Sequence, residues 1–305
     1  MAVQEIKAFL NGQEYTLTYD EESGEWTSPY QAPSKSSYNQ PNHVYVGSVK
    51  VRDDAGNETN ITGDSEQWPG LLVDVNEKVK PTAVITSPGE GALINVNAPT
   101  ITVQLRDDDS GIDITTLALK INNGAAIGST APGMSVEEVE GGYDVSYVPQ
   151  EALVDGTYTI SVNVSDNDGN AADASTRTIK IDTTPPSLDI TSPPDNFVTN
   201  QRVVTIKGKA ADSSGPPTVT MLLNEETDQG EITLNGEGEF SRDVTLENEG
   251  TNYVDTTATD KAGKTTTVRR TIILNTKAPE ILEAYFVPNT VDAGATGTIH
   301  VKVKE

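Results

Sequence analysis

An internal repeat constrains the fold of this chain more than any other feature of its sequence. The segment PTAVITSPGEGALIN, which begins at Pro81, aligns without gaps with PSLDITSPPDNFVTN, which begins at Pro186. A second repeated element reads VKVRDDAGNET from Val49, VNVSDNDGNAA from Val162 and TTATDKAGKTT from Thr256. Each copy alternates like a strand, turns at Asp and Gly, and continues as another strand, with the glycine where a hairpin needs a positive φ. Repetition at this spacing predicts small modules in tandem.

The composition favours several small β-sandwiches over one large core. Only 35% of the residues are hydrophobic and 5% are aromatic. That is enough for small sandwiches, because only the inward half of each strand has to be apolar. Runs of alternating Val, Ile and Thr are typical of strands, and Gly, Asn and Asp mark the turns. No segment shows sustained helical periodicity.

Two proline-containing junctions follow the repeated hairpins: DTTPP from Asp182 and NTKAP from Asn275. A link of this kind is short and stiff. The openings, hairpins and junctions together resemble the bacterial Ig-like repeats of surface adhesins and bacteriophage virion proteins, over residues 81–276 and partly over the remainder. The resemblance implies an all-β fold of tandem immunoglobulin-like β-sandwich domains in an elongated rod. It also implies a stalk, an adhesin or a virion decoration, although these motifs are specific for fold rather than function.

The repeats divide the chain into three modules and a tail. The predicted boundaries are 1–78 for the first module, 79–183 for the second, 184–276 for the third and 277–305 for the tail. In the third module the A and B strands are expected in 186–212. The first module aligns with the third only from its C strand onward, since Phe9–Leu10–Asn11 matches Leu222–Leu223–Asn224. It is therefore expected to lack strands A and B, whereas the tail, from 279 to 305, has the length of 186–212 and shows an A-like and a B-like strand.

The tail thus contains what the first module lacks, which predicts strand donation from one copy of the chain to another. Main-chain ladders would supply affinity and inward side chains would set the register. A head-to-tail contact of this type makes rings or filaments. The expected donor side chains are Ile281, Leu282, Tyr285, Val287, Ile299, Val301 and Val303. Three alternatives stay open: a first module that is complete by itself, a tail that is a fourth module cut short, and a tail that pairs with a different protein.

Catalysis finds little support in the sequence. His43 lies in the polar stretch SSYNQPNHVY, and His300 stands between Ile299 and Val301 on a predicted strand. Both are expected to be surface imidazoles rather than bases. The motifs GxSxG, HExxH, the P-loop and GxGxxG are absent. We therefore predict a non-enzymatic protein with no catalytic residues and no required cofactor.

Calcium is the one ligand that the acidic loops favour. The densest clusters, RDDDSGID from Arg106 and SDNDGN from Ser165, are expected in a B–C loop and an F–G loop, which share one end of an Ig-like fold. Calcium takes about six to eight oxygen ligands from such loops. The predicted ligands at the first junction are Asp107, Asp109, Asp113, Asp166, Asp168, Asp74 and Glu77. A thinner set at the next junction comprises Asp182, Asp212 and Asp260. The alternative is that these Asp residues only form turns, through bonds to the backbone.

The long polar segment 27–45 predicts a contact surface. Its tyrosines stand among Ser, Asn and Gln, as in adaptable binding surfaces. The predicted contact residues are Tyr30, Tyr38, Tyr45 and Trp68. A surface glycan is one predicted partner, in the manner of accessory modules of carbohydrate-active enzymes. The alternative is a surface loop whose tyrosines are anchored in the core.

The charge and the termini bear on partners and location. A net charge of −25, from 46 acidic and 21 basic residues, would be repelled by nucleic acid and by anionic headgroups, so nucleic-acid binding is not expected. The sequence has no run of 18 apolar residues, so membrane insertion is not expected either. Without cysteine, a disulfide or thiolate site is impossible. The start of the chain lacks a signal-peptide pattern. We expect a protein made in the host bacterial cytoplasm and assembled into a virion with copies of itself and other virion proteins. The alternative is a fragment of a bacterial cell-surface adhesin, with cell-surface proteins as partners.

Overall fold

The structure, a computed structural model, describes residues 2–64 and 66–304, and nearly all of its regular elements are β-strands. The chain divides into two compact units, Met1–Asp182 and Thr183–Glu305, and each is described by itself. Two short 3₁₀ helices, Pro41–His43 and Pro69–Leu71, interrupt the strands of the first unit. Within the described ranges, no helix is long and apolar enough to cross a membrane. The predicted all-β fold is confirmed.

The N-terminal part of the first unit has one main sheet and two small ladders. Its strands are β1 (Val3–Leu10), β2 (Gln13–Thr16), β3 (Thr18–Asp20), β4 (Glu25–Thr27), β5 (Tyr45–Val46), β6 (Ser48–Asp53), β7 (Glu58–Thr62) and β8 (Leu72–Val73). The main sheet has the order β2-β1-β6-β7, while β3 pairs with β4 and β5 pairs with β8. All of these pairings are antiparallel.

The rest of the first unit is a sandwich of two four-stranded sheets. Its strands are β9 (Thr82–Ser87), β10 (Leu93–Ile94), β11 (Ile101–Arg106), β12 (Ile112–Ile121), β13 (Met134–Val139), β14 (Gly142–Tyr147), β15 (Gly156–Asp166) and β16 (Ser175–Ile181). One sheet has the order β13-β14-β11-β9 and the other β10-β16-β15-β12. Ile101, Leu105, Leu119, Ile160 and Ile181 are fully buried in one core cluster of this sandwich.

The second unit repeats the sandwich and adds a hairpin. Its strands are β17 (Ser187–Ser192), β18 (Phe197–Thr199), β19 (Val203–Ala211), β20 (Thr218–Leu223), β21 (Thr227–Ile232), β22 (Glu239–Thr245), β23 (Gly250–Thr259) and β24 (Thr265–Leu274). The two sheets have the orders β17-β19-β22 and β18-β24-β23-β20-β21. The hairpin, here called the tail hairpin, pairs β25 (Glu280–Val287) with β26 (Thr298–Lys304) in antiparallel fashion.

Strand β19 shows how the sequence builds these sheets. Buried and exposed residues alternate along its whole length, so that one face packs on the core and the other meets solvent. Gly208 occupies an inward position at which a Cβ would lie 2.5 Å from the carbonyl oxygen of Asp189 and 2.5 Å from the ring of Phe240. A larger residue would therefore displace either the neighbouring backbone or the phenylalanine.

The turn conformations support the predicted alignment of the first module with the third. Asn11 after β1 and Asn224 after β20 both adopt a positive φ, of 46° and 51°. Gly24 before β4 and Gly238 before β22 do the same, with φ of 71° and 80°. Strands β1 and β4 of the first module thus correspond to β20 and β22. The boundaries of the modules at residues 78, 183 and 276 stay predictions.

Candidate functional site

The first module has no counterpart of strands A and B among the described residues. In the second module the ladder of β13 and β14 continues to β11 and β9. In the first module the corresponding ladder of β3 and β4 stops at β4. Within the part of the chain that the structure describes, the outer edge of β7 is also unpaired, whereas β24, its counterpart in the second unit, pairs in parallel with β18. Two strand edges of the first module are therefore open.

One face of the main sheet in the first module is apolar and incompletely covered. We call it the open face: Ile6, Ala8 and Leu10 of β1, with Val51 and Val49 of β6 directly opposite Ile6 and Ala8. Of these five, only Leu10 is buried, and the other four are half-buried. The corresponding β20 residues in the second unit are all buried beneath the opposite sheet: Val219, Met221 and Leu223. The open face is thus a core surface whose opposite sheet, within the described residues, stops at β4.

A hollow of about 470 Å³ lies against this face. Its apolar walls include Ala8 and Leu10 of the open face, together with Tyr15, Leu17 and Tyr30. A cavity of this size would be filled by side chains in a complete sandwich, because protein interiors are close-packed. Tyr30, one of the predicted contact residues, thus lines the empty part of the module.

The tail hairpin has one apolar face and one polar face. Across the ladder, Ala284 lies opposite Val301 and Phe286 opposite Ile299, while Ile281 lies opposite Val303. All six project from the same side of the hairpin. The large members of this face are more than half exposed: Ile281, Phe286, Ile299, Val301 and Val303.

The register places two of the predicted donor side chains on the polar face. Tyr285 pairs with His300, their rings stacked 4.9 Å apart, and Val287 pairs with Thr298. A bulge between Ile281 and Glu283 shifts the alternation. Sequence reasoning missed Phe286 for this reason, although an aromatic beside Tyr285 in an alternating strand was a usable signal.

Three of the predicted calcium ligands converge in the first unit. Glu77 precedes β9, Asp107 follows β11 and Asp166 ends β15. One carboxylate oxygen from each lies within 4.8 Å of the others. We call this set the junction carboxylates. The predicted meeting of the B–C and F–G loops is confirmed, since the amide of Asn167 donates to the carbonyl oxygen of Ser110 at 2.9 Å.

The other predicted ligands of the first junction lie outside this set. Asp109 accepts the backbone N–H of Ser36 at 3.1 Å, and Asp74 accepts the hydroxyl of Ser37 at 2.9 Å. Both hold the segment before β5 in place. Asp113 accepts the backbone N–H and hydroxyl of Thr115 in β12. The carboxylate of Asp168 borders the set, because it accepts the backbone N–H of Glu77 at 2.8 Å.

The residues of the second predicted calcium site are divided between the two units. Asp182 ends the first unit, where its N–H donates to the carbonyl oxygen of Ile94 at 2.8 Å. Asp212 and Asp260 lie in the second unit, in the loops after β19 and β23, and their carboxylate oxygens approach within 4.8 Å. This second site stays a prediction.

The same aspartate turn recurs in the first two modules. Asp53 accepts the N–H groups of Ala55 and Asn57 through Oδ1 and the Asn57 side-chain amide through Oδ2. The Asn57 amide and these N–H groups hold the pKa of Asp53 below its usual value. Asp166 accepts the matching three bonds, from the N–H groups of Asp168 and Asn170 through Oδ1 and from the Asn170 side-chain amide through Oδ2.

The predicted aromatic surface is only partly present. Tyr45 is 6% exposed, and its hydroxyl donates to the carbonyl oxygen of Lys35 at 3.2 Å. The prediction that Tyr45 is a surface contact is therefore wrong, since it anchors the polar segment in the core. Tyr30 and Trp68 are exposed, while Tyr38 is half-buried and stacks on His43 at 4.5 Å.

The family models that match this chain cover three successive segments of it. Two family models described as bacterial Ig-like domains match residues 5–68 and 86–183, and a model described as domain B of glucodextranase matches residues 186–276. The chain is a tandem array of bacterial Ig-like domains. Such Ig-like domains are typically structural or surface-binding modules, and they are typically non-catalytic. Both histidines of this array are stacked on tyrosines.

Individual proteins resemble the array of Ig-like domains at low identity. Bacillopeptidase F of Bacillus subtilis (strain 168) is 29% identical over 165 residues, which cover 50% of this chain and only 11% of that protein. Fibronectin(III)-like modules of Clostridium thermocellum CbhA are 17% identical, over 63% of this chain and 94% of theirs, with a TM-score of 0.40. An I-band fragment from titin is 12% identical, over 90% of this chain and 88% of its own, with a TM-score of 0.40.

Proposed function

We propose that this chain is a structural protein that joins head to tail with other copies of itself. In this proposal the tail hairpin of one copy supplies strands A and B to the first module of the next. The proposal rests on one observation: the first module and the tail hairpin have complementary incomplete structures. Among its described residues the first module has an open face and no A or B strand, and the tail hairpin carries the predicted A-like and B-like strands with an exposed apolar face.

The complete modules indicate how the hairpin would dock. In the second unit β19 pairs with β22, and β17 pairs with β19. By correspondence, β26 would pair with the open edge of β4, and β25 would lie outside it. The segment between β25 and β26 would then reach the open edge of β7, as β18 reaches β24. Both open edges would gain backbone partners, and this is how proteins manage such edges.

The side chains of the tail hairpin and of the open face also complement each other. The apolar face of the hairpin carries Phe286, Ile299 and Val301, all more than half exposed. Facing the open face and its hollow, they would take the place that Ile206, Val204 and their neighbours hold in the third module. Burial of apolar surface on both partners would supply the driving force.

The deciding experiment is light scattering across a range of concentrations, on the full chain and on a chain ending at Thr276. We expect the full chain to form rings or filaments and the shortened chain to be monomeric. The shortened chain keeps the complete third module, because β24 ends at Leu274, so its loss of assembly would report on the tail. A full chain that is monomeric at every concentration would contradict head-to-tail assembly, whether or not the tail changes its stability.

We propose a bacteriophage virion as the setting of this assembly, with the bacterial cell surface as the alternative. The resemblance of the repeats to Ig-like repeats of virion proteins supports the first setting. Peptide mass spectrometry of particles purified from lysed cultures is the test: the chain should be present there in many copies. Its recovery from the envelope of cells that produce no particles would favour the adhesin, and a glycan array would then test Tyr30 and Trp68 as contacts.

A further inference from the structure

Three acidic side chains are buried together at the first junction of the chain. Glu77, Asp107 and Asp166 are 8%, 7% and 2% exposed. They come from three separate segments: the linker before β9, the loop after β11 and the end of β15. Backbone folding, rather than local sequence, brings their oxygens within 4.8 Å of one another.

Hydrogen-bond donors fix each carboxylate, and both oxygens of Asp166 accept bonds within its own turn. Glu77 and Asp107 each keep one oxygen free. Oε1 of Glu77 accepts the N–H of Ser110 at 2.7 Å, and Oδ1 of Asp107 accepts the N–H of Gly111 at 2.7 Å. The second oxygens, Oε2 of Glu77 and Oδ2 of Asp107, are buried and have no hydrogen-bond partner, and the Ser110 hydroxyl is in the same state. Buried polar atoms almost always find a partner, so these three orphaned atoms indicate that a ligand is needed here.

Among the described residues, no lysine, arginine or histidine forms an ion pair with a junction carboxylate. Lys35, in the same region, lies 3.9 Å from Asp109 instead. Burying ionised carboxylates without a counter-charge is costly, and like charges at this separation add repulsion. A bound cation would remove both costs.

We propose that the junction carboxylates bind a calcium ion through one oxygen each. Clustered hard oxygens on loops are the donor set that calcium prefers, with backbone carbonyls, hydroxyls and water completing the shell. With metal–oxygen distances of about 2.3–2.6 Å, two oxygens on opposite sides of one calcium ion lie about 5 Å apart, which accommodates the observed spacing. The ion would fasten the linker of the first module to two loops of the second. This inference does not depend on strand donation.

The linker is already docked in the way such an ion would require. The backbone N–H of Glu77 donates to Asp168, and its carbonyl oxygen accepts the side-chain amide of Asn170 at 3.2 Å. Glu77 is thereby held at both ends of its backbone while its side chain reaches the loop of Ser110. A calcium ion would balance the negative charges of the junction carboxylates at a contact that the backbone of Glu77 already makes.

The test is calcium titration by calorimetry on the EDTA-treated full chain, with Glu77→Gln, Asp107→Asn and a matched control, Asp53→Asn. The control removes a carboxylate from the equivalent turn of the first module, with the same three hydrogen bonds. We expect calcium binding by the wild type and the control, and affinity lowered by more than about tenfold in the other two variants. If the second predicted site also binds, the stoichiometry should fall by one ion only in those two variants. Magnesium at about tenfold excess should not displace the calcium.

Thermal unfolding, measured with and without calcium, distinguishes a calcium ligand from a side chain that only stabilises the fold. In EDTA, Glu77→Gln should melt no lower than the wild type, because it relieves repulsion and keeps the acceptor for Ser110. In calcium, the wild type should gain stability and Glu77→Gln should gain less. A folded wild type that binds no calcium, or that binds it as well after either junction substitution, would overturn the proposal.

Discussion

Phe286→Ala tests the proposed docking face of the tail hairpin. Phe286 lies on the apolar face opposite Ile299 and is 63% exposed. If the hairpin completes the first module of another copy, this surface becomes buried on assembly. If the Phe286 side chain serves only to cover the hairpin of its own chain, Phe286→Ala should leave assembly unchanged.

The magnitude follows from the area that is available for burial. Full burial of a phenylalanine side chain contributes about 1.5–3 kcal/mol. Since about two-thirds of Phe286 is exposed before docking, assembly gains about 1–2 kcal/mol from it. Phe286→Ala should therefore raise the dissociation constant between copies by about five- to thirtyfold.

The matched control is the neighbouring residue on the other face. Tyr285→Ala removes a side chain that is 45% exposed and stacked on His300. The polar face would remain in solvent after docking, so we expect the dissociation constant to change by less than about threefold. Sedimentation velocity over a concentration series measures both constants. Equal weakening by the two variants, or none by Phe286→Ala, would refute the assigned face.

The remaining predictions concern stability and protonation. Leu119→Ala, at a fully buried core position, should lower the free energy of unfolding by about 2–5 kcal/mol in urea, whereas Val154→Ala at an exposed position should change it by less than about 0.5 kcal/mol. Gly208→Ala should cost about 1–3 kcal/mol, because its Cβ would lie 2.5 Å from a backbone oxygen and an aromatic ring. Asn57→Ala should raise the pKa of Asp53 toward its usual value, since the lost amide bond favours the ionised form, and NMR titration would measure this change. The stabilisation from this turn is present above the usual pKa and is lost as pH falls through the lowered one, so in the variant it should be smaller and its loss should be complete at a higher pH.

Much of the fold was predictable because the repeats are explicit in the sequence. The alternation of Val, Ile and Thr gave the strands, and the alignment of Leu10 and Asn11 with Leu223 and Asn224 gave the missing A and B strands. The first rests on a local rule, the period of two along a strand, and the second on matched residues in two repeats. The structure reproduces both.

The predictions for Tyr285 and Tyr45 were wrong because local sequence rules do not specify the features that decided their positions. A bulge after Ile281 moved Tyr285 to the polar face, and no single-residue preference marks where a bulge falls. Tyr45 stands in a polar segment, so nothing in its neighbours indicated that its ring would enter the core. Both errors concern side-chain direction rather than the existence of an element.

The aspartate turns show why acidity alone could not select the metal ligands. Asp53 and Asp166 stand in the same turn and make the same three hydrogen bonds, yet only Asp166 is buried beside Asp107. The difference is Glu77, which the linker places beside the second turn, whereas no such group of acidic side chains includes Asp53 among the described residues. The turn sequence therefore specifies a hydrogen-bonded Asp in both modules, and the junction converts one of them into a cation site. If calcium binds as proposed, the acidic character of these repeats has two separate causes, turn formation everywhere and metal binding where two modules meet.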